Sequence, residues 1–312
     1  MSLSQSSSPT RYGRGNINVC RRGSTGSVLV VALNRPDVKN AFSDDLYLDL
    51  IDVMAEVAVD SSFAVLVMTG TGSYFSSGAD LNSTSMVKDD GSDRDTLNMP
   101  PGRFMMSIIE FPKILCAAVN GPAIGIGVTL LLHCDLCYCS ETATLWAPFT
   151  RLALGEHYRW TSLTRKLSLL CLTTTLGVQV PELCSSATFV ESMGLSKANE
   201  MLLLGKKIDA GTALAWNICS QIVPGVNTEE PFHHDSLANY MAREVDERLL
   251  KLPMGDRTGQ LFVSFIRGQR QARMQRVCRK ELVELDARFN RGEVLEALMQ
   301  LSMSHEKQSS RL

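Results

Sequence analysis

Apolar and polar positions along the 312-residue chain follow two periods in alternation. Asn18 to Arg22 and Ser27 to Leu33 read as two strands, joined by the turn Gly23-Ser24-Thr25-Gly26. Asn34-Arg35-Pro36-Asp37 breaks the second strand. Ser43 is placed to cap a helix whose Leu46, Leu50, Ile51 and Met54 recur on one face. Ala64 to Thr69 is a continuous apolar run, the mark of a buried parallel strand. A glycine-punctuated turn from Gly70 to Gly78 follows, with Asp80 positioned to cap the next helix. Met86 to Pro101 is mostly polar and predicts a mobile loop. Arg103 to Ile109 predicts a helix and Lys113 to Val119 a second buried strand. Gly121 to Gly127 is again a glycine-rich turn, Val128 to Leu132 a helix, and Leu136 to Cys139 and Thr144 to Trp146 short strands. From Ser196 onward the pattern is mostly helical, with amphipathic stretches at Glu244 to Leu252 and Lys280 to Met303 whose faces suit packing against another subunit.

Strand and helix in alternation predict an α/β core with right-handed crossovers. The expected organisation is a disordered tail over residues 1–16, a core over 17–225 and a helical region over 226–312. The tail is rich in Ser, Gly and Arg, so a mitochondrial transit peptide is the alternative reading. A composition of 45% hydrophobic and 21% charged residues is that of an ordinary globular chain. The formal charge of −2 offers no general attraction to nucleic acid or an anionic membrane. No apolar run reaches the roughly 18 residues a membrane span needs. Nine cysteines without a small-domain spacing read as free thiols in a reducing compartment. His133-Cys134-Asp135-Leu136-Cys137-Tyr138-Cys139 has ligand-type residues, but a zinc site needs a second ligand cluster and the sequence offers none, so no metal is expected. Ser310-Arg311-Leu312 is close to the Ser-Lys-Leu peroxisomal address and implies an import receptor as partner.

The chemistry is expected where two glycine turns follow two buried strands, Phe75-Ser76-Ser77-Gly78-Ala79-Asp80-Leu81 and Asn120-Gly121-Pro122-Ala123-Ile124-Gly125-Ile126-Gly127. In open α/β sheets, ligand sites form at the carboxyl ends of strands. Each turn opens a helix and offers unpaired amides, and two such turns side by side make an oxyanion hole from main chain alone. A dinucleotide fingerprint fails on spacing, because Leu130 stands where its third glycine belongs.

Leu33-Asn34-Arg35-Pro36 with Lys39-Asn40-Ala41, then Phe75 to Leu81, then Ala118 to Ile126 resemble, in order and separation, the signatures of the crotonase (enoyl-CoA hydratase/isomerase) superfamily. The resemblance implies a spiral of ββα units with a helical C-terminal trimerisation region, assembled as a homotrimer or hexamer. It also implies an acyl-coenzyme A substrate, held with its thioester oxygen between the amides of Ala79 and Ile126. Lys39, Asn40, Ala41, Ser77, Gly78, Asp80, Leu81 and Gly125 would line the coenzyme A side. Coenzyme A enters as part of the substrate, and no separate cofactor is implied.

Subtype follows from the acid/base groups. The two glutamate positions of the hydratases fall on Thr129 and Phe149, neither a carboxylate, whereas water addition needs groups to activate water and to protonate carbon. Val180-Pro181-Glu182-Leu183-Cys184-Ser185-Ser186 instead resembles the Pro-Glu-x-x-Ser-Ser segment of peroxisomal-type Δ3,Δ2-enoyl-CoA isomerases, with their single catalytic carboxylate at Glu182. Trp146, Phe149 and Phe189 would line the acyl pocket. The plainer reading of Glu182 is a first-turn helix glutamate behind a proline. A hydratase or other crotonase acyl-CoA enzyme, and a catalytically silent crotonase-like binding or scaffold protein, stand as alternatives. The latter is motivated by the stretch 156–177, an insertion relative to the isomerase pattern that falls just before Glu182.

Overall fold

The computed structural model describes residues 8–80, 83, 95–149 and 181–291. The insertion at 156–177, the helix expected after Asp80, Leu81 and the C-terminal tripeptide lie outside these residues.

The apolar runs become the middle of a seven-stranded sheet. Its strands are β1 (Thr10–Tyr12), β2 (Ile17–Arg22), β3 (Val28–Leu33), β4 (Val65–Gly70), β5 (Ile114–Val119), β7 (Leu136–Ser140) and β10 (Gln221–Val223), in that spatial order. β1, β2 and β3 pair antiparallel, and β3, β4, β5, β7 and β10 run parallel. A second sheet holds β6 (Ala123–Ile124), β8 (Thr144–Trp146) and β9 (Ile208–Asp209).

Both faces of the parallel strands are buried, which is why they read as unbroken apolar runs. Leu29, Val31, Leu33, Leu66, Met68, Leu115, Ala117 and Val119 point into one core. The alternate residues Val28, Val30, Val65, Val67, Ile114, Cys116 and Ala118 point into the other. The first core is closed by α1 (Asp44–Val59), capped by the Ser43 hydroxyl on the Leu46 amide, and by α2 (Pro100–Glu110). Phe42, Tyr47 and Phe104 meet there with ring centroids 5.2–5.8 Å apart. After β6 come α3 (Ile126–Thr129) and a 3-10 turn over Leu130–His133. Later in the chain follow α4 (Ser185–Met193), α5 (Leu195–Leu202), α6 (Ala210–Ala215) and α7 (Leu237–Val245). The last described helix, α8, runs unbroken from Gly255 to Asn290.

Four sequence expectations are corrected. Thr10–Tyr12 is not tail but an edge strand: the Tyr12 hydroxyl donates to Glu56, and buried Asp49 accepts the amides of Arg14 and Asn16. Pro100 and Pro101 open α2 instead of closing a loop, since proline tolerates the first helical turn. The region after Ser196 contains β9 and β10, too short to show a period. α8 begins well before Lys280, because apolar Leu261, Phe262, Phe265 and Ile266 face solvent and blur the amphipathic pattern. α8 is fastened across the sheet ends by Arg267, which pairs with Asp135 and donates to the Phe111 carbonyl.

Candidate active site

The two glycine loops lie against each other at the ends of β4 and β5. The amides of Phe75 and Ser76 both donate to the Pro122 carbonyl at 3.1 and 3.2 Å, and Ile124 donates to the Ser76 carbonyl at 2.9 Å. Gly78 has φ 91 and Gly125 φ 55, a region L side chains rarely adopt. The space is also taken: a Cβ on Gly78 would stand 3.2 Å from the Ile124 carbonyl oxygen, and one on Gly125 3.8 Å from the Gly78 Cα. The two backbones therefore pack directly against each other, with the tighter approach at Gly78, and Ala79 and Ile126 follow immediately on either side.

Among the described residues, the amides of Ala79 and Ile126 are left over by the local pairing. The bridge between Phe42 and Ala79 uses the Phe42 amide on the Gly78 carbonyl and the Asp80 amide on the Phe42 carbonyl, each 2.8 Å. The Ala79 amide lies outside that ladder. Ile126 is the first residue of α3, where amides have no intrahelical acceptor. The Gly125 amide, by contrast, is engaged by the Trp146 carbonyl at 2.9 Å.

Glu182 reaches this contact from a distant part of the chain. Its Oε1 lies 3.9 Å from the position a Gly125 Cβ would occupy. Leu183 and Cys184 are both left-handed, with φ 49 and 60, and α4 starts only at Ser185. Glu182 therefore precedes the helix, and the reading as a first-turn glutamate is overturned. Burial, and secondarily the charge of Glu281, push the Glu182 carboxyl up to about 7. Tyr47, fully buried in the aromatic trio, has its phenol pushed well above the usual range by burial and then by the Glu182 charge.

The remaining predicted residues divide. Lys39 is exposed, with its ammonium 5.0 Å from the Tyr74 ring centroid. Asn40 is completely buried: its oxygen accepts the Arg35 amide, and its nitrogen donates to the Thr71 and Tyr74 carbonyls. With that side chain engaged within the protein, Asn40 shapes the loop. Asp80 is ion-paired to Arg35 at 2.8 Å, and Arg35 also donates to the Ala41 carbonyl. Ser77 donates to the Val38 carbonyl. Trp146 places its indole N–H on the Gly205 carbonyl at 2.9 Å, while Phe149 and Phe189 belong to the main core. Thr129, fully buried, turns its hydroxyl to the Ile126 carbonyl.

Residues 23–169 match the Enoyl-CoA hydratase/isomerase family. Over 308 residues the chain is 32% identical to "Enoyl-CoA delta isomerase 2" of Rattus norvegicus, covering 96% of this chain and 68% of that protein. The chain belongs to the enoyl-CoA hydratase/isomerase family. "Enoyl-CoA delta isomerase 3, peroxisomal" of Mus musculus is 35% identical over 233 residues, 72% of this chain and 65% of that protein, so the match spans just under two thirds of that relative. An enoyl-CoA hydratase/isomerase structure from Pseudoalteromonas atlantica T6c superposes with a TM-score of 0.70 at 26% identity, covering 93% of this chain and 97% of that one. The fold is thus the crotonase fold.

Sequence reasoning missed Glu281, which is buried on α8. The signal was present: Met274, Cys278 and Leu282 form the buried stripe of that helix, and Glu281 stands on the same stripe. A carboxylate at an apolar phase is expected to hold a partner. Among the described residues, three neighbouring side chains could hold a metal, His233, His234 and Asp235. The Cys134 to Cys139 segment is not such a group; its cysteines are free thiols, and Cys137 and Cys139 are buried in β7.

Proposed function

We propose that this protein is a Δ3,Δ2-enoyl-CoA isomerase that converts 3-enoyl-CoA to trans-2-enoyl-CoA with Glu182 as its one acid/base group. The observation that carries this reading is the Glu182 carboxylate 3.9 Å from the Gly125 Cβ position, beside the contact of the two glycine loops. A thioester oxygen between the amides of Ala79 and Ile126 gathers negative charge as C2 loses its proton. Fixed amide dipoles stabilise that enolate, each donor contributing about 10²–10³ in rate. Glu182 takes the C2 proton and returns it at C4, which moves the double bond into conjugation. A carboxyl near pH 7 suits both halves of that exchange. Thr129 and Phe149 argue against the hydratase alternative, since neither can activate water.

The partner is an acyl-CoA, with Lys39 exposed at the coenzyme A side as a cation for phosphate. The exposed Leu261, Phe262, Phe265 and Ile266 of α8 support assembly as a trimer or hexamer. Among the described residues no helix is long and apolar enough to cross a membrane. The tripeptide Ser310-Arg311-Leu312 and the name of the mouse relative support a peroxisomal setting in the β-oxidation of unsaturated fatty acids.

The test supplies 3-hexenoyl-CoA and crotonyl-CoA separately to the intact protein. The isomerase reading expects conjugated product from the first and little hydration of the second. Hydration of crotonyl-CoA as the dominant activity decides for a hydratase. Tight binding of acyl-CoA with no turnover of either decides for a silent binding protein.

A further inference from the structure

The turn that carries Glu182 is held by a residue nearly a hundred positions away. Glu281 of α8 is only 8% exposed. Its Oε2 accepts the Cys184 amide at 2.8 Å, and its Oε1 accepts the Ser186 amide at 3.1 Å and the Ser186 hydroxyl at 2.5 Å. The segment it grips contains the two left-handed residues, Leu183 and Cys184, that turn the chain between Glu182 and α4. A second hold comes from His133, whose Nε2 lies 2.9 Å from the Leu183 carbonyl oxygen. A third is the Cys184 thiol on the Met274 carbonyl at 3.1 Å.

The choice of acceptor matters for the chemistry. Amides at a helix start are strong donors to any nearby carboxylate, and Glu182 is the acid next to them in sequence. Were Glu182 to fold back and accept them, its carboxyl would be immobilised and its proton affinity lowered. Glu281 occupies those amides instead. Among the described residues, no side chain or amide donates to the Glu182 carboxyl. The base is therefore anchored through its backbone and free at its tip, as a group that must reach two different carbons requires.

We infer that Glu281 is a positioning residue for the proton shift: it fixes the stem of Glu182, keeps the amides of Cys184 and Ser186 away from it, and so leaves the carboxyl free beside Gly125. This rests on Glu182 being the base. Like-charge repulsion works in the same direction, since the Glu281 charge disfavours ionisation of Glu182. Among the described residues, the titratable groups facing this turn are Glu281 and Cys278 of α8, His133 of the 3-10 turn, Tyr47 of α1 and Cys184 itself. Of these, Glu281 is the group that can be neutralised without altering shape.

The experiment measures kcat, KM and their pH dependence on 3-hexenoyl-CoA for the intact protein, Glu281→Gln, Glu281→Asp, Ser186→Ala and Glu182→Gln, with hexanoyl-CoA binding measured in parallel. Glu281→Gln is expected to lower kcat about 10- to 100-fold with KM and hexanoyl-CoA affinity within about threefold, the size of loss that a misplaced catalytic group produces. Its acid limb moves to lower pH, because the neighbouring charge is gone and the freed amides favour the ionised base. Glu281→Asp keeps the charge but shortens the reach, so kcat falls while the acid limb stays in place. Ser186→Ala loses one bond and shows a smaller drop in kcat. Intact-like kcat and acid limb in Glu281→Gln, alongside an inactive Glu182→Gln, overturn the positioning role alone. An active Glu182→Gln overturns the assignment of the base.

Discussion

Asp49 and Glu281 are two buried carboxylates that hold a neighbouring segment by its amides, and they differ in their company. Asp49, completely buried, binds the amides of Arg14 and Asn16 and also has the Arg14 guanidinium at 3.1 Å. Among the described residues no cation reaches Glu281, and its charge instead bears on Glu182. Burial pushes the Glu281 carboxyl up to about 7, even though bonds from Ser186 and Cys184 oppose the shift. A carboxylate paired with a cation fixes an edge strand and does little else. The same device without a cation makes its surroundings sensitive to protons near neutrality, and here those surroundings hold the candidate base.

Variants at the two carboxylates and at Glu182 separate the two roles. Glu182→Gln is expected to lower kcat about 10²–10⁴-fold, the usual contribution of a general acid/base. It should leave the urea midpoint at neutral pH unchanged or higher, because a buried charge is removed. Asp49→Ala is expected to do the reverse. It leaves amides of residues 14 and 16 without their acceptor and costs roughly 2–3 kcal/mol of stability in urea unfolding. Turnover per folded molecule should be unchanged.

The third prediction concerns pH. In the fold, Glu182 and Glu281 hold protons up to about 7, against an ordinary 4.5. Between those values the native state binds more protons than the unfolded chain, so these two groups subtract stability as pH rises from about 5 to about 7. The urea midpoint should decline over that window, and Glu281→Gln should make the decline shallower. An equally steep decline in that variant would show that the dependence arises elsewhere. The smallest effect is expected from deleting residues 156–177, which should leave isomerase activity intact or raise it. Loss of activity would make that stretch part of the site.

Much of this was legible in the sequence, for identifiable reasons. The buried strands show as apolar runs because both faces of a parallel sheet are covered, as with the alternating inward residues of β3, β4 and β5. The two glycine loops are legible because Gly78 and Gly125 answer to backbone geometry, which few other residues satisfy. Glu182 stood out only through its neighbours Pro181, Ser185 and Ser186. What stayed hidden depends on contacts between distant positions. Thr10–Tyr12 pairs with β2 and is anchored by Asp49 and Glu56 of α1, and three residues carry no period. The three hydrogen bonds that tie the Asn40 side chain to Arg35, Thr71 and Tyr74 likewise leave no mark in the local pattern. Glu281 is separated by 97 residues from the Cys184 amide it holds, so only its place on the buried stripe of α8 hints at a task.

The proposed geometry has one carboxylate, Glu182, facing a thioester whose oxygen is held by two main-chain amides. Its most direct test is a crystal structure of the full chain with a saturated acyl-CoA bound. The thioester oxygen is expected about 2.7–3.1 Å from the amide nitrogens of both Ala79 and Ile126. The Glu182 carboxylate is expected about 3–3.5 Å from C2, a distance at which the proton can transfer. A thioester bound away from those two amides, or a Glu182 side chain turned from C2, would contradict it.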